Sequence, residues 1–264
     1  MDLQTFIIRV KQLASHPVIK LFVMPLSLLF YGIVFGAKID GINFLGTFIL
    51  YLFMVVMQFI EQYLFVNDMK KGYIKWEPLY FFDAIIIGLL CLLLMVTNLI
   101  FVILALFYVI SVHLIYALFQ LKGTIYFLII QVCLKAVVAT ILASFMQLNV
   151  ITPDLLLATI SICGMVLFYY AEMERLDTVK YGLAVLNKGT LTLLSFTGLA
   201  IAFISPILLQ KLALTNIFFL VLWIALALLM VQFMGNKKRY IQTARSKNYL
   251  STLFTLFVLL FSLL

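Results

Sequence analysis

Apolar residues in this chain run on for about twenty positions at a time, and short polar interruptions separate the runs. They cover about residues 18–37, 43–66, 79–97, 99–119, 124–147, 154–172, 190–209, 215–234 and 248–264. A helix needs about 20 apolar residues to cross the hydrocarbon core of a bilayer. The runs are continuous and not alternating, which predicts helices and not a barrel. The break at Thr97-Asn98 is read as dividing two spans, the alternative being one long bent helix. The expected fold is therefore all-α: a single integral membrane domain, residues 1–264, folded as a bundle of about nine transmembrane helices.

Lys and Arg favour cytoplasmic loops, so their distribution predicts orientation. With the N-terminus inside, the inner segments hold Arg9, Lys11, Lys20, Lys70, Lys71, Lys75, Lys122, Arg175, Lys180, Lys188, Lys237, Lys238, Arg239, Arg245 and Lys247. The outer segments hold only Lys38 and Lys211, and Lys135 is left inside a span. Fifteen against two supports a cytoplasmic N-terminus and the count of nine helices. The expected location is a multi-pass cell-membrane protein with its charged loops in the cytoplasm.

Composition strengthens that picture. Hydrophobic residues make up 66% of the chain and charged residues 11%, against about 25% charged in an ordinary soluble domain. Lipid is the expected solvent. The net charge of +8 is explained by the cytoplasmic basic excess, and nothing supports nucleic-acid binding. Cys91, Cys133 and Cys163 lie in apolar runs without paired spacing, so they read as small hydrophobes and not as a disulfide frame or zinc site. The N-terminal segment does not read as a cleavable signal.

Acidic residues do not follow the orientation rule, so their position carries more information. Glu61 and Asp68 close the second span, ahead of the stretch DMKKGYIKWEP. Glu172, Glu174 and Asp177 follow the sixth span in YYAEMERLDTVKYG, residues 169–182. Glu61 and Asp68 are seven apart and share a helical face; Glu174 and Asp177, three apart, do the same. Two such clusters on one side of the membrane, each trailed by lysines, suit a divalent cation and a polyphosphate. Mg2+ takes carboxylate oxygens, waters and phosphate oxygens, and Lys or Arg offsets the remaining phosphate charge. Ordinary loop charges at a membrane surface are the other reading of the same pattern.

The chain resembles the UbiA superfamily of intramembrane prenyltransferases, bundles of nine transmembrane helices whose two aspartate-rich motifs follow the second and sixth helices. The stretch Asp68-Met69-Lys70-Lys71-Gly72 looks like the D-x-K-R-G end of the first motif in the naphthoate-prenylating branch. Glu61 falls where that branch has an asparagine, and Leu64, Phe65 and Ile74 fall where it has further polar residues. In the second motif a D-x-x-x-D-x-x-x-G pattern lands on Glu174, Thr178 and Gly182, with Asp177 one place ahead of the second aspartate. The stretch LIYALFQLKGTIYFLIIQ, residues 114–131, resembles the connection where a Tyr and a Lys or Arg line the family's cavity, here Tyr116 and Lys122.

That resemblance implies Mg2+-dependent transfer of a prenyl group from a prenyl diphosphate to an aromatic acceptor, as in quinone biosynthesis. It implies metal ligation by Glu61, Asp68, Glu174 and Asp177, the last three also as catalytic residues. Diphosphate contacts would come from Lys70, Lys71, Lys122, Arg175 and Lys180. Tyr116, His113 and Lys135 would line the substrate cavity. Ionisable residues inside a span are functional candidates, yet Lys135 reads equally well as the partner of a carboxylate on another helix. His113 reads as a base or as a hydrogen-bonded interior histidine, and Asp83 begins the third span. Two other functions fit the same spans: a relative that cyclises a prenyl diphosphate, and a transporter or accessory protein without the chemistry.

Overall fold

The computed structural model of the chain describes residues 17–71, 74–181, 186–209, 217–236 and 240–264, with the side chains of residues 17–21, 68–71 and 179–181 left undescribed. Among the described residues there is no strand, and nine helices are long and apolar enough to cross a membrane. We number them α1 (Pro17–Asp40), α2 (Phe44–Lys71), α3 (Trp76–Val96), α4 (Leu99–Leu118), α5 (Ile125–Leu148), α6 (Pro153–Tyr181), α7 (Lys188–Leu208), α8 (Ile217–Gly235) and α9 (Thr243–Leu263).

Local chemistry sets the boundaries. Gly41 takes the left-handed conformation after α1, with φ of 86°, and the Asn43 side chain accepts the Gly46 amide at 3.0 Å to open α2. Thr97 leaves the helical region, and the Asn98 side chain then caps α4 by accepting from the Phe101 amide at 3.0 Å. Two spans therefore meet at Thr97-Asn98, as expected, and not one bent helix. Thr124 caps α5 in the same manner, and Asn149 ends it in the left-handed region with φ of 54°. Each of these caps satisfies backbone groups that a helix end leaves unpaired.

Two helices are not α-helical throughout. α4 widens to a π-helix over Leu114–Leu118, and α5 does so over Cys133–Val138. A π-turn adds a residue to the helical circuit and re-aims the side chains beyond it, and such turns are frequent at functional sites. Tyr116 lies in the first and Lys135 in the second.

The helices sort into an inner and an outer set. In α5 and α6, 61% of the spanning window is buried inside the bundle, whereas in α3 and α8 the shares are 22% and 28%. The outer helices turn Phe81, Ile87, Met95, Phe218 and Leu228 outward, as a lipid-facing surface requires. α6 packs on α5, α7 and α9, and α1 packs on α2, α5 and α9. A close seam joins α6 to α7. A Cβ at Gly164 would lie 2.5 Å from the Ala202 nitrogen and 2.6 Å from the Gly198 oxygen, and one at Gly198 would lie 2.7 Å from the Gly164 oxygen. Only glycine admits that approach, and Ser161 and Ser205 hydrogen-bond across the same seam at 2.6 Å. Small residues and serine bonds are how helices associate where lipid supplies no hydrophobic drive.

The charge clusters are helical, not loop, residues. α2 continues to Lys71 and α6 to Tyr181, well past the apolar limits at 66 and 172 that hydropathy sets. Glu172, Glu174 and Asp177 therefore keep a fixed helical spacing, and their faces can be compared.

Candidate functional site

A cavity of about 460 Å³ opens among the C-terminal part of α2, the end of α4, the start of α5, the C-terminal part of α6 and the first turns of α9. α2 contributes Gln58, Glu61, Gln62 and Phe65, and the α4–α5 connection contributes Lys122. α6 contributes Tyr169, Tyr170, Met173, Glu174 and Asp177, and α9 contributes Thr243, Lys247, Asn248 and Ser251. Carboxylates from the second and sixth spans thus converge on one space, although 113 positions separate Glu61 from Glu174.

Helical spacing explains the α6 side of the cavity. Tyr170, Glu174 and Asp177 follow one another at intervals of four and three, so they lie along one face. Both acidic side chains are almost fully buried, at 4% and 3% exposed. Lys122 sits between them, its Nζ 2.9 Å from Asp177 Oδ2 and 3.4 Å from Glu174 Oε1. Lys247 of α9 pairs with Asp177 Oδ1. The Lys122 ammonium also lies 3.6 Å from the centre of the Phe65 ring, a cation–π contact that fixes it from the α2 side.

Glu61 lines the same cavity from α2 and is as buried as the α6 carboxylates, at 4% exposed. Its Oε1 is 2.5 Å from Nζ of Lys135. Lys135 is sealed at 1% exposed, does not line the cavity, and has its ammonium 5.2 Å from the Tyr108 ring centre. Of the two sequence readings of Lys135, the partner to a carboxylate on another helix is the one the structure shows.

Aromatic rings line the cavity as well. Tyr116 meets Phe127 edge to face at 5.9 Å, Phe127 meets Tyr170 at 6.2 Å, and Tyr170 meets Tyr169 at 5.2 Å. The Tyr116 hydroxyl accepts from Gln131 Nε2 at 3.3 Å.

Not every expected residue is here. Arg175 turns away from the cavity: its Nη1 donates to Glu172 Oε1 at 2.6 Å and its Nη2 to the Tyr240 hydroxyl at 2.8 Å. Glu172 is fully buried and also accepts from Ser195 Oγ of α7 at 2.8 Å. His113 is outside the cavity as well. It lines a separate apolar groove of about 290 Å³ between α3 and α4, with Nε2 3.1 Å from Asp83 Oδ1 and Nδ1 2.9 Å from the Val109 carbonyl oxygen. The side chains of Asp68, Lys70, Lys71 and Lys180 lie outside the described residues.

Sequence reasoning missed Lys247, Asn248 and Ser251. The signal was there: Lys247 and Ser251 are one turn apart at the polar start of the last span, where the helix begins at Thr243 and not at 248. A polar face entering a membrane helix points inward more often than to lipid.

Glu174 and Asp177 suit a Mg2+ ion, which commonly takes one or two carboxylates and completes its octahedron with water and phosphate oxygens. The Lys122 ammonium already occupies a cation position between the two carboxylates. Glu61 does not share that position, being held by Lys135. Among the described residues no three His, Cys, Asp or Glu side chains gather to hold a metal. No family model matches the chain, and neither a curated protein nor a solved structure matches it.

Proposed function

We propose that the chain is a membrane-embedded prenyltransferase, which moves a prenyl group from its diphosphate to an aromatic acceptor in the cavity. The observation that carries this reading is the convergence of Glu61, Glu174, Asp177, Lys122 and Lys247 from distant parts of the chain on one aromatic-walled space. The likeness of the DMKKG and YYAEMERLDTVKYG stretches to the UbiA superfamily motifs supports it. We place the cavity mouth on the cytoplasmic side of the cell membrane, where the lysine excess would put it.

Charge decides how the site would work. The three carboxylates Glu61, Glu174 and Asp177 are matched by three ammoniums, those of Lys122, Lys135 and Lys247. That cluster is neutral, so an incoming diphosphate would need added positive charge. Glu174 and Asp177 would hold Mg2+, and the bound ion would supply charge to the departing diphosphate. Lys122 and Lys247 would turn from the carboxylates to the phosphate oxygens, as charge-assisted bonds. The rings of Tyr116, Phe127, Tyr169 and Tyr170 would face the allylic carbocation and exclude water from it.

The test is direct. Full-length protein in nanodiscs is given Mg2+, prenyl diphosphates of several lengths and hydroxylated aromatic acceptors. Acceptor-dependent diphosphate release that falls in Glu174→Ala and Asp68→Ala is the expected result. Absence of release with every donor and acceptor, or release indifferent to both substitutions, overturns the reading.

A further inference from the structure

The cavity is lined by two separate charge groups. Its described cations, Lys122 and Lys247, stand with Glu174 and Asp177 in the first. The second is the Glu61 carboxylate of α2, which lines the cavity and pairs with neither of those lysines. Lys135 neutralises Glu61 from behind but is sealed from the cavity, at 1% exposed. It occupies Oε1 only, which leaves the second carboxylate oxygen for a donor.

We propose that Glu61 is the residue that binds the acceptor, not a metal ligand, and that the acceptor is a neutral hydroxyarene whose O–H donates to the Glu61 carboxylate. The inference rests on the transfer reading only for the word acceptor; the binding chemistry follows from the Glu61 carboxylate, which lines the cavity while Lys135 does not. A ring bearing a hydroxyl matches that carboxylate, while a ring bearing its own carboxylate meets a like charge there. Lys135 cannot relieve that repulsion, because its ammonium is committed to Glu61. The selectivity therefore comes from the buried order of the two charges: acid toward the cavity, base behind it.

Binding of three probes to the full chain in nanodiscs, by titration calorimetry, tests this: a naphthol, its methyl ether, and the same naphthol carrying a carboxylate. A hydrogen bond to a charged group predicts that the naphthol binds about tenfold tighter than either other probe. Glu61→Gln keeps an acceptor oxygen but leaves Lys135 as the unbalanced charge, so the carboxylated probe should gain and the preference should reverse. Glu61→Leu combined with Lys135→Leu removes the pair as a unit, which buried ion pairs generally tolerate, and should abolish the preference in a folded protein. In that double variant the Mg2+ dependence of prenyl diphosphate binding should stay within about twofold of the parent. Equal or tighter binding of the carboxylated probe by the parent, no binding of the naphthol, a preference that survives the double variant, or a tenfold shift in Mg2+ dependence each overturns the proposal. Naphthol binding without any transfer would leave this inference standing and remove the transfer reading.

Discussion

Glu172 and Glu174 stand two positions apart on α6 and meet opposite surroundings. At 3.6 residues per turn they point about 200° apart, while Glu174 and Asp177 differ by only about 60°. Glu174 and Asp177 face the cavity and are held by lysines from the α4–α5 connection and α9. Glu172 faces α7, fully buried, and is closed by Arg175 and Ser195. One face can exchange partners with a ligand; the other is a network closed by Arg175 and Ser195. The pair teaches that a charge cluster in a membrane chain is not one unit of function, and that the helical face assigns the work.

The strongest way to break this comparison is to remove Glu172. Loss of one partner of a buried ion pair strands the other charge and costs about 3–5 kcal/mol. Glu172→Ala should therefore lower the unfolding midpoint of the purified protein more than removal of the Asp177 charge does, while molecules that remain folded keep their ligand binding. A folded Glu172→Ala protein of parental stability would show that the α7 face is not structural.

The converse substitution is Asp177→Asn. Lys122 and Lys247 then lose their carboxylate, but both are partly exposed at the cavity mouth, at 12% and 21%, so water and ligand can serve them. We expect less than half the stability loss of Glu172→Ala and a fall in prenyl transfer of about 100-fold or more, the usual scale for removing an electrostatic contact to a developing charge. Unchanged transfer with a large loss of stability would exchange the roles of the two faces.

Both faces depend on how closely α6 sits on α7. Gly198→Ala would force a methyl against the Gly164 oxygen and the Phe168 nitrogen, both at 2.7 Å. Backbone cannot step aside as a side chain can, so overpacking here should cost about 1–3 kcal/mol. Because Ser195 is on α7, the Glu172 network should loosen with it, whereas the lysines on Glu174 and Asp177 come from elsewhere. Faster hydrogen exchange confined to the α7 side is the expected signature. Equal loosening on the cavity side would show that the faces are coupled.

Hydropathy carries the fold because a membrane span is a local property: twenty apolar residues suffice, whatever they touch. The limits failed where polarity and helicity part company. α6 runs nine residues beyond its apolar limit and α9 starts five residues before its own, and those extensions hold Asp177 and Lys247. The spacing of Glu174 and Asp177 was legible, since it is a helical interval. The Lys135–Glu61 pair was not, because 74 positions lie between its members and a π-turn sets the direction of the lysine. Nor does any local signal separate Arg175 from Lys122 as a phosphate ligand; only the face of α6 does so.

The smallest test addresses the outer end of the Glu172 network. Tyr240 accepts from Arg175 Nη2 at 2.8 Å, and Tyr240→Phe deletes the hydroxyl while keeping the ring. Arg175 retains its bond to Glu172 and is itself 13% exposed, so water can replace the lost acceptor. The expected cost is about 1 kcal/mol, near the mean for a single hydrogen bond, seen as a small drop in unfolding midpoint. Transfer and prenyl diphosphate affinity should not move, because the hydroxyl lies on the side of α6 that the cavity does not reach. A tenfold loss of diphosphate affinity in Tyr240→Phe would mean that Arg175 leaves Glu172 for the substrate, which would return it to the phosphate role that the YYAEMERLDT stretch suggests and erase the division between the two faces.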